Sequence, residues 1–245
     1  MSKIYEALKK AEQERDRSRW DGPLPAAPAL RAAPAALPSG EANGEDYQRL
    51  RASLMSALSP SALHTILVTS ARHGEGATTV SIGLASALAK EREARVLLVE
   101  GNLREPSLGG VLHAAANGGL SEFISGELTA EAVITRVEAL NLSLIVAGNT
   151  ARHAVDLDPV AGLLARLRPQ FDFIVIDAPP VNSYADASIL APRVDGVILV
   201  VEADRTPVNE AEAAKRQLDK VDARILGVVL NRRRSYIPAF LESLL

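Results

Sequence analysis

The sequence predicts an α/β fold built on a doubly wound, mostly parallel sheet. Helical patterns, such as those of residues 78–92 and 207–221, separate most of its apolar, β-branched runs. Because these runs are continuously apolar rather than alternating, we expect strands that are covered by helices on both faces. Repeated strand–helix units give right-handed crossovers and hence parallel strands. The predicted strands comprise residues 65–70, 95–100, 142–147, 172–177, 196–202 and 224–230.

The composition is typical of a globular protein and excludes several classes of function. The 245 residues are 47% hydrophobic and 23% charged, which is enough for one sizeable domain. A net charge of −3 attracts no nucleic acid, and 4% aromatic residues leave few for base stacking. The absence of cysteine excludes disulfides, zinc–thiolate sites and thiol nucleophiles, and it fits a cytoplasmic location. No run of 18 apolar residues occurs, so we expect no transmembrane segment.

Three regions follow one another along the chain. Residues 1–20 are predicted to form an amphipathic helix, because Ile4, Leu8 and Ala11 recur at helical spacing. Whether this helix docks on a partner or packs on its own domain stays open. Residues 21–40 contain five prolines and seven alanines, which predicts an extended linker. The domain that carries the chemistry is therefore expected to span residues 41–245.

The loop after the first strand, residues 71–79, has the spacing of a phosphate-binding P-loop. Gly74 and Gly76 allow the backbone amides to turn inward, and the N-terminus of the following helix adds positive potential. Thr78, the expected magnesium ligand, is present, but Ala77 replaces the lysine that supplies charge at the β- and γ-phosphates. The pattern therefore predicts a phosphate site with reduced positive charge.

Acidic residues stand at the ends of two further predicted strands, Glu100 in VEGNLREP and Asp177 in FIVIDAPP. Ligands of a parallel sheet bind at the carboxyl ends of its strands. Beside a P-loop, an acid at such a strand end is a ligand of magnesium or its water in nucleotide hydrolases and kinases. A helix cap or a solvated strand end is the simpler interpretation of either acid alone, so that alternative stays open.

Together these segments resemble the bacterial tyrosine kinases that regulate capsule and exopolysaccharide synthesis. The resemblance covers residues 45 to about 231, with TSARHGEGATT as Walker A, VEGNLREP as Walker A′ and FIVIDAPPV as Walker B. The later segments DASILAPRVDGVILVVEADRT and ILGVVLN match the family's order and spacing. The opening MSKIYEALKKAEQER is similar to members found beside exosortase-linked exopolysaccharide loci. This family implies a P-loop NTPase fold of the MinD/ParA type.

The resemblance also implies how the site works and where it is impaired. Thr78 and Asp177 match the residues that hold the magnesium of bound ATP, and Glu100 and Asp177 match the family's catalytic carboxylates. The family lysine is Ala77 here, and the two A′ aspartates are Glu100 and Asn102. Deleting one well-placed transition-state donor costs roughly 3–4 kcal/mol, a rate loss of about 10²–10³. We therefore expect a degenerate kinase, a pseudokinase with weak or absent activity.

Two predicted nucleotide-binding residues lie outside the glycine turn. Asn231 matches a position that contacts adenine in related P-loop proteins, although it could simply cap a strand end. Arg72 stands five residues before Ala77, where MinD and ParA relatives carry a signature lysine, and it could partly replace the missing charge. An exposed loop arginine is the alternative. The whole predicted set is Arg72, Gly74, Glu75, Gly76, Ala77, Thr78, Thr79 and Asn231.

Assembly and signalling depart from the family pattern. Family kinases form rings through a helix with the pattern E-x-x-R-x-x-R, and the corresponding oligomerisation residues here are Glu45, Gln48 and Arg51. Homo-oligomer formation therefore stays open. The family's tail carries a cluster of tyrosines, whereas the segment SYIPAFLESLL contains Tyr236 alone. This departure again predicts weak autokinase cycling.

These observations predict a regulator or scaffold of exopolysaccharide biosynthesis and export. The resemblance implies a membrane-embedded chain-length or co-polymerase partner, which would hold the cytoplasmic chain at the inner face of the membrane. ATP or ADP with Mg²⁺ are the expected cofactors, and whether they bind at all stays open. The alternatives are an active ATP-dependent tyrosine autokinase, in which Arg72 compensates for Ala77, and a ParA/MinD-like ATPase.

Overall fold

The computed structural model describes residues 44–57, 64–91, 94–114, 117–150 and 157–233, in which strands and helices alternate. The predicted N-terminal helix, the linker and Tyr236 lie outside these residues. The strands are β1 (Thr65–Ser70), β2 (Val96–Glu100), β3 (Thr135–Val137), β4 (Leu142–Ile145), β5 (Phe173–Asp177), β6 (Gly196–Glu202) and β7 (Ile225–Asn231). The α-helices are α1 (Gly44–Ala57), α2 (Ala77–Ala89), α3 (Leu108–Val111), α4 (Leu120–Ile124), α5 (Asp158–Leu167), α6 (Asp186–Leu190) and α7 (Val208–Asp219).

The strands form one sheet in the order β3-β4-β2-β5-β1-β6-β7. Every neighbouring pair is parallel except β3 and β4, which are antiparallel. The predicted doubly wound, mostly parallel sheet is therefore confirmed. The six predicted strands are present with small shifts at their ends, whereas β3 was not predicted because the edge strand Thr-Arg-Val contains no apolar run.

Helices cover the sheet on both faces, as continuously apolar strands require. One core packs the inner faces of α1, α2 and α3 against the sheet, with Val68, Leu98 and Val175 among its strand residues. The second core packs α4 to α7 against the opposite face, around Leu67 and Ile176. None of the helices in the described ranges has both the length and the apolar character needed to cross a membrane.

The carboxyl ends of the strands collect the polar residues that matter for chemistry. Glu100 and Asp177 are register partners at the ends of β2 and β5, and Glu202 and Asn231 are partners at the ends of β6 and β7. Strand β1 lies between β5 and β6, and the loop of residues 71–79 follows it at the same edge of the sheet. The sheet thus places the loop, both acids and Asn231 along one edge.

A close approach of an aromatic ring to a glycine is one of the contacts between helix α1 and helix α2. The ring of Tyr47 lies over Gly83, where a side chain would collide with the ring atoms. The Tyr47 hydroxyl donates a hydrogen bond to the Thr79 carbonyl at 3.4 Å, and burial raises the pKa of this tyrosine above its usual value. The helix that carries Glu45, Gln48 and Arg51 is therefore seated on the helix that begins at the P-loop.

Replacing Gly83 by alanine is expected to loosen α1. A Cβ at this position overlaps the Tyr47 ring, and overpacking of this kind costs typically about 1–3 kcal/mol. The matched control is Gly162→Ala in α5, where a Cβ meets no atom and where alanine should stabilise by about 0.5–1 kcal/mol. Hydrogen exchange of the α1 amides should accelerate only in Gly83→Ala. Unchanged exchange in that variant would contradict this packing.

Candidate functional site

The P-loop forms a cradle of backbone donors at the start of α2. Gly74 and Gly76 have φ angles of 82° and 91°, in the left-handed region that glycine adopts without strain. Helix α2 begins directly after Gly76, and no side chain caps it. Within the described residues, the N–H groups of Ala77 and Thr78 have no hydrogen-bond acceptor. Such a turn of free donors at a helix N-terminus fits a phosphate group.

Side chains from outside the loop hold it in this shape. The buried Glu75 carboxylate accepts hydrogen bonds from the Arg72 N–H at 2.9 Å and from the Thr206 hydroxyl. The Asn231 amide donates to the Glu75 carbonyl at 2.8 Å, and Arg232 donates to the Gly74 carbonyl at 2.7 Å. Glu75 and Asn231, both predicted to bind nucleotide, are thus placed as braces of the loop, and their contact with a nucleotide stays a prediction.

Thr78 and Asp177, the two predicted magnesium ligands, are in contact, and their binding of metal stays a prediction. The Thr78 hydroxyl donates to one oxygen of the Asp177 carboxyl at 2.8 Å, and the Ser81 hydroxyl lies 2.9 Å from the other oxygen. Burial raises the pKa of Asp177 to about 7, although the bonds from Thr78 and Ser81 act in the opposite direction. Ser81 was not predicted. Its signal is its position one helical turn beyond Thr78, on the same face of α2.

Glu100 is engaged by the backbone rather than directed at the cradle. One carboxylate oxygen accepts from the N–H groups of Ser107 and Leu108, at 2.5 and 2.6 Å, and thereby serves the N-terminus of α3. The other oxygen accepts from the Ala147 N–H at 2.8 Å. Glu100 is 1% exposed, so this carboxylate connects β2, α3 and the segment after β4 in the protein interior. The capping interpretation describes its present contacts, and a catalytic role stays a prediction.

The A′ loop between β2 and α3 contributes two more polar side chains. The Asn102 side-chain oxygen accepts the Glu105 N–H at 3.0 Å and so stabilises the turn of its own loop. The Ser107 hydroxyl lies 3.4 Å from that of Thr78, beside the predicted magnesium ligand. Ser107 was missed because nothing in the sequence indicates that the A′ loop folds back onto α2.

A cluster of side chains joins three loops beside the cradle, and we call it the Tyr184 cluster. The Tyr184 ring, in the loop after β5, packs edge-on against the His73 ring at a centroid distance of 5.6 Å. The Arg104 guanidinium lies 5.5 Å from the centre of the same tyrosine ring and pairs with the buried Asp186 at 3.4 Å. Glu105 contacts His73 Nδ1 at 3.1 Å. The cluster thus links the P-loop, the A′ loop and the segment after β5.

The cationic side chains near the cradle have acidic partners. Arg72 pairs with Glu210 of α7 at 3.0 Å, so its guanidinium points toward that helix. Arg232 pairs with Glu202 at 3.2 Å. The position of the missing lysine is filled by the buried Ala77 methyl group. Compensation by Arg72 would require this arginine to leave Glu210, and it stays a prediction.

The predicted oligomerisation residues lie on α1. Arg51 donates to the Gln48 side chain at 3.1 Å and forms an ion pair with Glu91 near the end of α2. Glu45 lies near Arg49 at 3.9 Å, with both side chains exposed. All three residues therefore have contacts within the chain, and assembly through this helix stays a prediction.

The side-chain oxygens of Thr78 and Asp177 suit a magnesium ion that is bound together with a nucleotide. The described residues contain no group of three or more histidines, aspartates or glutamates able to hold a metal ion. Thr78 and Asp177 offer two oxygen ligands side by side. Magnesium is usually held by one or two carboxylates together with substrate phosphates and waters. The residues present therefore fit a Mg·nucleotide, apart from the charge lost at Ala77.

Comparisons with known proteins agree with this geometry. The ParA family described as the NUBPL iron-transfer P-loop NTPase matches residues 61–241. The tyrosine-protein kinase CpsD of Streptococcus pneumoniae serotype 4 is 32% identical over 179 residues, which cover 71% of this chain and 78% of CpsD.

Two solved structures are also similar to the chain. The chimerical protein CapA2B2 has a TM-score of 0.70 and 28% identity over 78% of this chain and 85% of its own. The septum site-determining protein MinD of Pyrococcus horikoshii, complexed with Mg-ADP, has a TM-score of 0.57 and 26% identity. This second match covers 73% of this chain and 75% of MinD. The chain is thus similar both to a tyrosine-protein kinase and to a protein that was crystallised with Mg-ADP.

Proposed function

Because the chain belongs to the bacterial tyrosine-kinase family of ParA-like P-loop NTPases, we propose that it regulates or scaffolds exopolysaccharide biosynthesis and export. In this role it binds Mg·ATP or Mg·ADP and responds to the nucleotide, while phosphoryl transfer is slow. Iron transfer, named in the description of the matching family, is a poorer fit because the 245 residues contain no cysteine to supply thiolate ligands.

One observation supports this proposal above the others: the two residues predicted to hold magnesium are in contact, while alanine stands where the family's phosphate-binding lysine is expected. Thr78 and Asp177 touch at 2.8 Å beside free backbone donors, yet Ala77 offers only a methyl group. The cradle keeps its shape and its donors, so nucleotide affinity should be reduced rather than abolished. Transition-state stabilisation suffers more, because a phosphate cation matters most when charge develops on the transferring group.

The proposed partner is a membrane-embedded chain-length or co-polymerase protein. The resemblance to kinases that act with such an activator supports this proposal. We place the chain at the cytoplasmic face of the membrane through that partner. Formation of a homo-oligomer through α1 belongs to the same proposal.

A genetic experiment tests the proposed role. In the strain that encodes the chain, its deletion should lower the amount of exported polysaccharide, and the wild-type gene should restore it. A chromosomal Asp177→Asn variant separates two forms of the role. Polymer output should fall if the role depends on nucleotide sensing, which requires Asp177, and should stay unchanged if the chain is a passive scaffold. Normal polymer output after deletion would contradict the proposal.

Restoring the lysine is expected to restore catalysis. Ala77→Lys should raise the rate of phosphoryl transfer to tyrosine by about 10²–10³, the value of one well-placed transition-state donor. Transfer of labelled phosphate from ATP measures this rate. Ala52→Lys, which adds the same charge on the exposed face of α1, is the control and should leave the rate unchanged. Equal rates in wild type and Ala77→Lys would indicate that another cation already serves the phosphate.

An active tyrosine autokinase is the second candidate function. The contact between Thr78 and Asp177 supports it, because the two residues predicted to hold magnesium lie side by side. In that case Arg72 would have to exchange Glu210 for a phosphate. Arg72→Ala should then weaken ATP binding, whereas unchanged affinity would exclude compensation by this arginine.

A further inference from the structure

The edge strand β7 exposes apolar side chains on one face of the sheet. Val228 and Leu230 are 60% and 57% exposed, and they are two of the four large apolar side chains exposed in the described ranges. Their register partners on β6, Leu199 and Val201, are buried in the core under α4 to α7. Register partners on neighbouring strands point to the same face of the sheet. Val228 and Leu230, which we call the β7 face, therefore extend that core to a part of the sheet that the described helices leave open.

An apolar edge of this length needs a cover. Native proteins shorten their edge strands, place charges or proline on them, or cover them with a helix or loop. The strand at the other edge, β3, has three residues, one of which is Arg136. Strand β7 has seven residues, Ile225–Asn231, and contains neither a charged residue nor a proline. We therefore expect the β7 face to have an occupant.

The segment that follows β7 has the sequence of such an occupant. The described part of the chain stops at Arg233, two residues after β7, and the segment of residues 235–245 reads SYIPAFLESLL. Ile237, Leu241 and Leu244 recur at the spacing of one face of a helix. Pro238 suits the first turn of a helix, where no N–H group has to donate within the helix. The pattern predicts a short amphipathic helix over residues 238–245.

The topology of the sheet determines which face such a helix would cover. Helices α5, α6 and α7 all connect strands in the direction that leads across the sheet toward β7, and all three pack in the core that contains Leu199. Helix α2 connects β1 to β2 in the opposite direction and packs in the other core. Right-handed crossovers produce this arrangement. A helix that follows β7 on the same path lies on the face where Val228 and Leu230 are exposed.

We infer that residues 235–245 form a helix that packs its apolar side, including Leu241 and Leu244, on the β7 face of the same chain. Eight helical residues are about 12 Å long, which is enough to cover the roughly 7 Å between Val228 and Leu230. Only residues 232–234 join the segment to β7. A linker this short gives the segment an effective concentration at its own β7 face on the order of millimolar. Docking within the chain is thereby favoured over docking on a second copy, and it requires no nucleotide.

The docked segment would be connected to the P-loop through the end of β7. Asn231 donates to the Glu75 carbonyl at 2.8 Å, and Arg232 donates to the Gly74 carbonyl at 2.7 Å. Arg232 has a φ angle of 55°, a left-handed conformation that residues other than glycine adopt when their surroundings hold them there. Release of the segment would let Arg232 relax and would remove one brace from the loop.

Cysteine labelling of the full chain tests the docking, because the sequence contains no other cysteine. Val228→Cys should react slowly with a maleimide, and about 10-fold faster when Leu241→Asp and Leu244→Asp are added. The matched control adds Ala239→Asp and Ser243→Asp, which place the same two charges on the opposite side of the predicted helix, and it should keep labelling slow. Fast labelling of Val228→Cys in the otherwise unchanged chain would overturn the inference.

Two further measurements distinguish the occupants and test the connection to the P-loop. The labelling rate of Val228→Cys should not depend on protein concentration. A rate that falls as protein concentration rises would mean that a second copy covers the β7 face, and docking within the chain would be excluded. Hydrogen exchange of the P-loop amides should be faster in the Leu241→Asp, Leu244→Asp variant than in the control with Ala239→Asp and Ser243→Asp. Equal exchange in the two would overturn the connection to the loop and leave the docking in place.

Discussion

The Asp177→Asn variant is expected to be more stable than the wild type at about pH 8 without nucleotide, by up to about 4 kcal/mol. Burial raises the pKa of the Asp177 carboxyl from 3.8 to about 7 in the folded state. Each pKa unit corresponds to about 1.4 kcal/mol of difference between the two protonation states. Asparagine has nearly the same shape and carries no charge, so it avoids the cost of ionising the buried group.

The sign of the pH dependence follows from the same pKa. The folded state holds the Asp177 proton more tightly than the unfolded chain, so this residue makes the free energy of unfolding fall as pH rises from about 4 to about 7. Urea unfolding at about pH 5 and pH 8 measures the effect. The difference between Asp177→Asn and wild type should be larger at the higher pH. An equal difference at both pH values would contradict a raised pKa.

Asp172→Asn is a matched control on the segment that leads into the same strand. A hydrogen bond from the Arg95 side chain holds the pKa of Asp172 below its usual value. Asp172 therefore contributes stability at neutral pH that is lost as pH falls through its folded-state pKa. Its replacement should slightly destabilise the protein at neutral pH, opposite in sign to Asp177→Asn. Two variants that shift stability in the same direction would indicate a general effect of charge instead.

Replacing Glu100 by alanine is expected to lower the free energy of unfolding by about 3–5 kcal/mol. The variant leaves the N–H groups of Ser107, Leu108 and Ala147 without their acceptor. Each unsatisfied buried group costs about 1–3 kcal/mol. For three groups the sum is about 3–9 kcal/mol. We expect a value in the lower part of that range, because a cavity of about 390 Å³ borders Glu100 and can admit water to these groups.

Denaturant unfolding with two further variants checks this account of Glu100. Glu100→Asp shortens the side chain by one methylene, so it should keep only part of the hydrogen bonds and lose an intermediate amount of stability. Glu212→Ala, at an exposed position of α7 with one ion pair to Arg216, should change stability by less than about 0.5 kcal/mol. A Glu100→Ala variant as stable as Glu212→Ala would show that the three N–H groups do not depend on this carboxylate.

Much of the fold could be predicted from the sequence because buried parallel strands have continuously apolar sequences. Residues 65–70 and 196–202 were predicted with the bounds that the structure has. Strand β3 could not be predicted, since three residues at an antiparallel edge bury too little surface to require an apolar run. Its pairing with β4 depends on the path of the chain around it.

The candidate site also has one part that the sequence predicts and one part that it does not. The meeting of Thr78 and Asp177 follows from strand ends and a P-loop that share one edge of the sheet, which sequence motifs encode. The contacts of Glu100 and Tyr184 were not predictable, because they depend on how the A′ loop and the loop after β5 fold back over the cradle. Functional residues often lie on such loops, but the sequence of a loop says little about its conformation.

The central claim is that the cradle still binds a Mg·nucleotide although Ala77 replaces the lysine. Calorimetric titration of the full chain with Mg·ATP and Mg·ADP, beside Ala77→Lys, tests it most directly. We expect the wild type to bind with a dissociation constant on the order of micromolar, and Ala77→Lys to bind more tightly. An Ala77→Lys variant that binds beside a wild type that does not would contradict the claim. The fold would then serve only as a scaffolding surface.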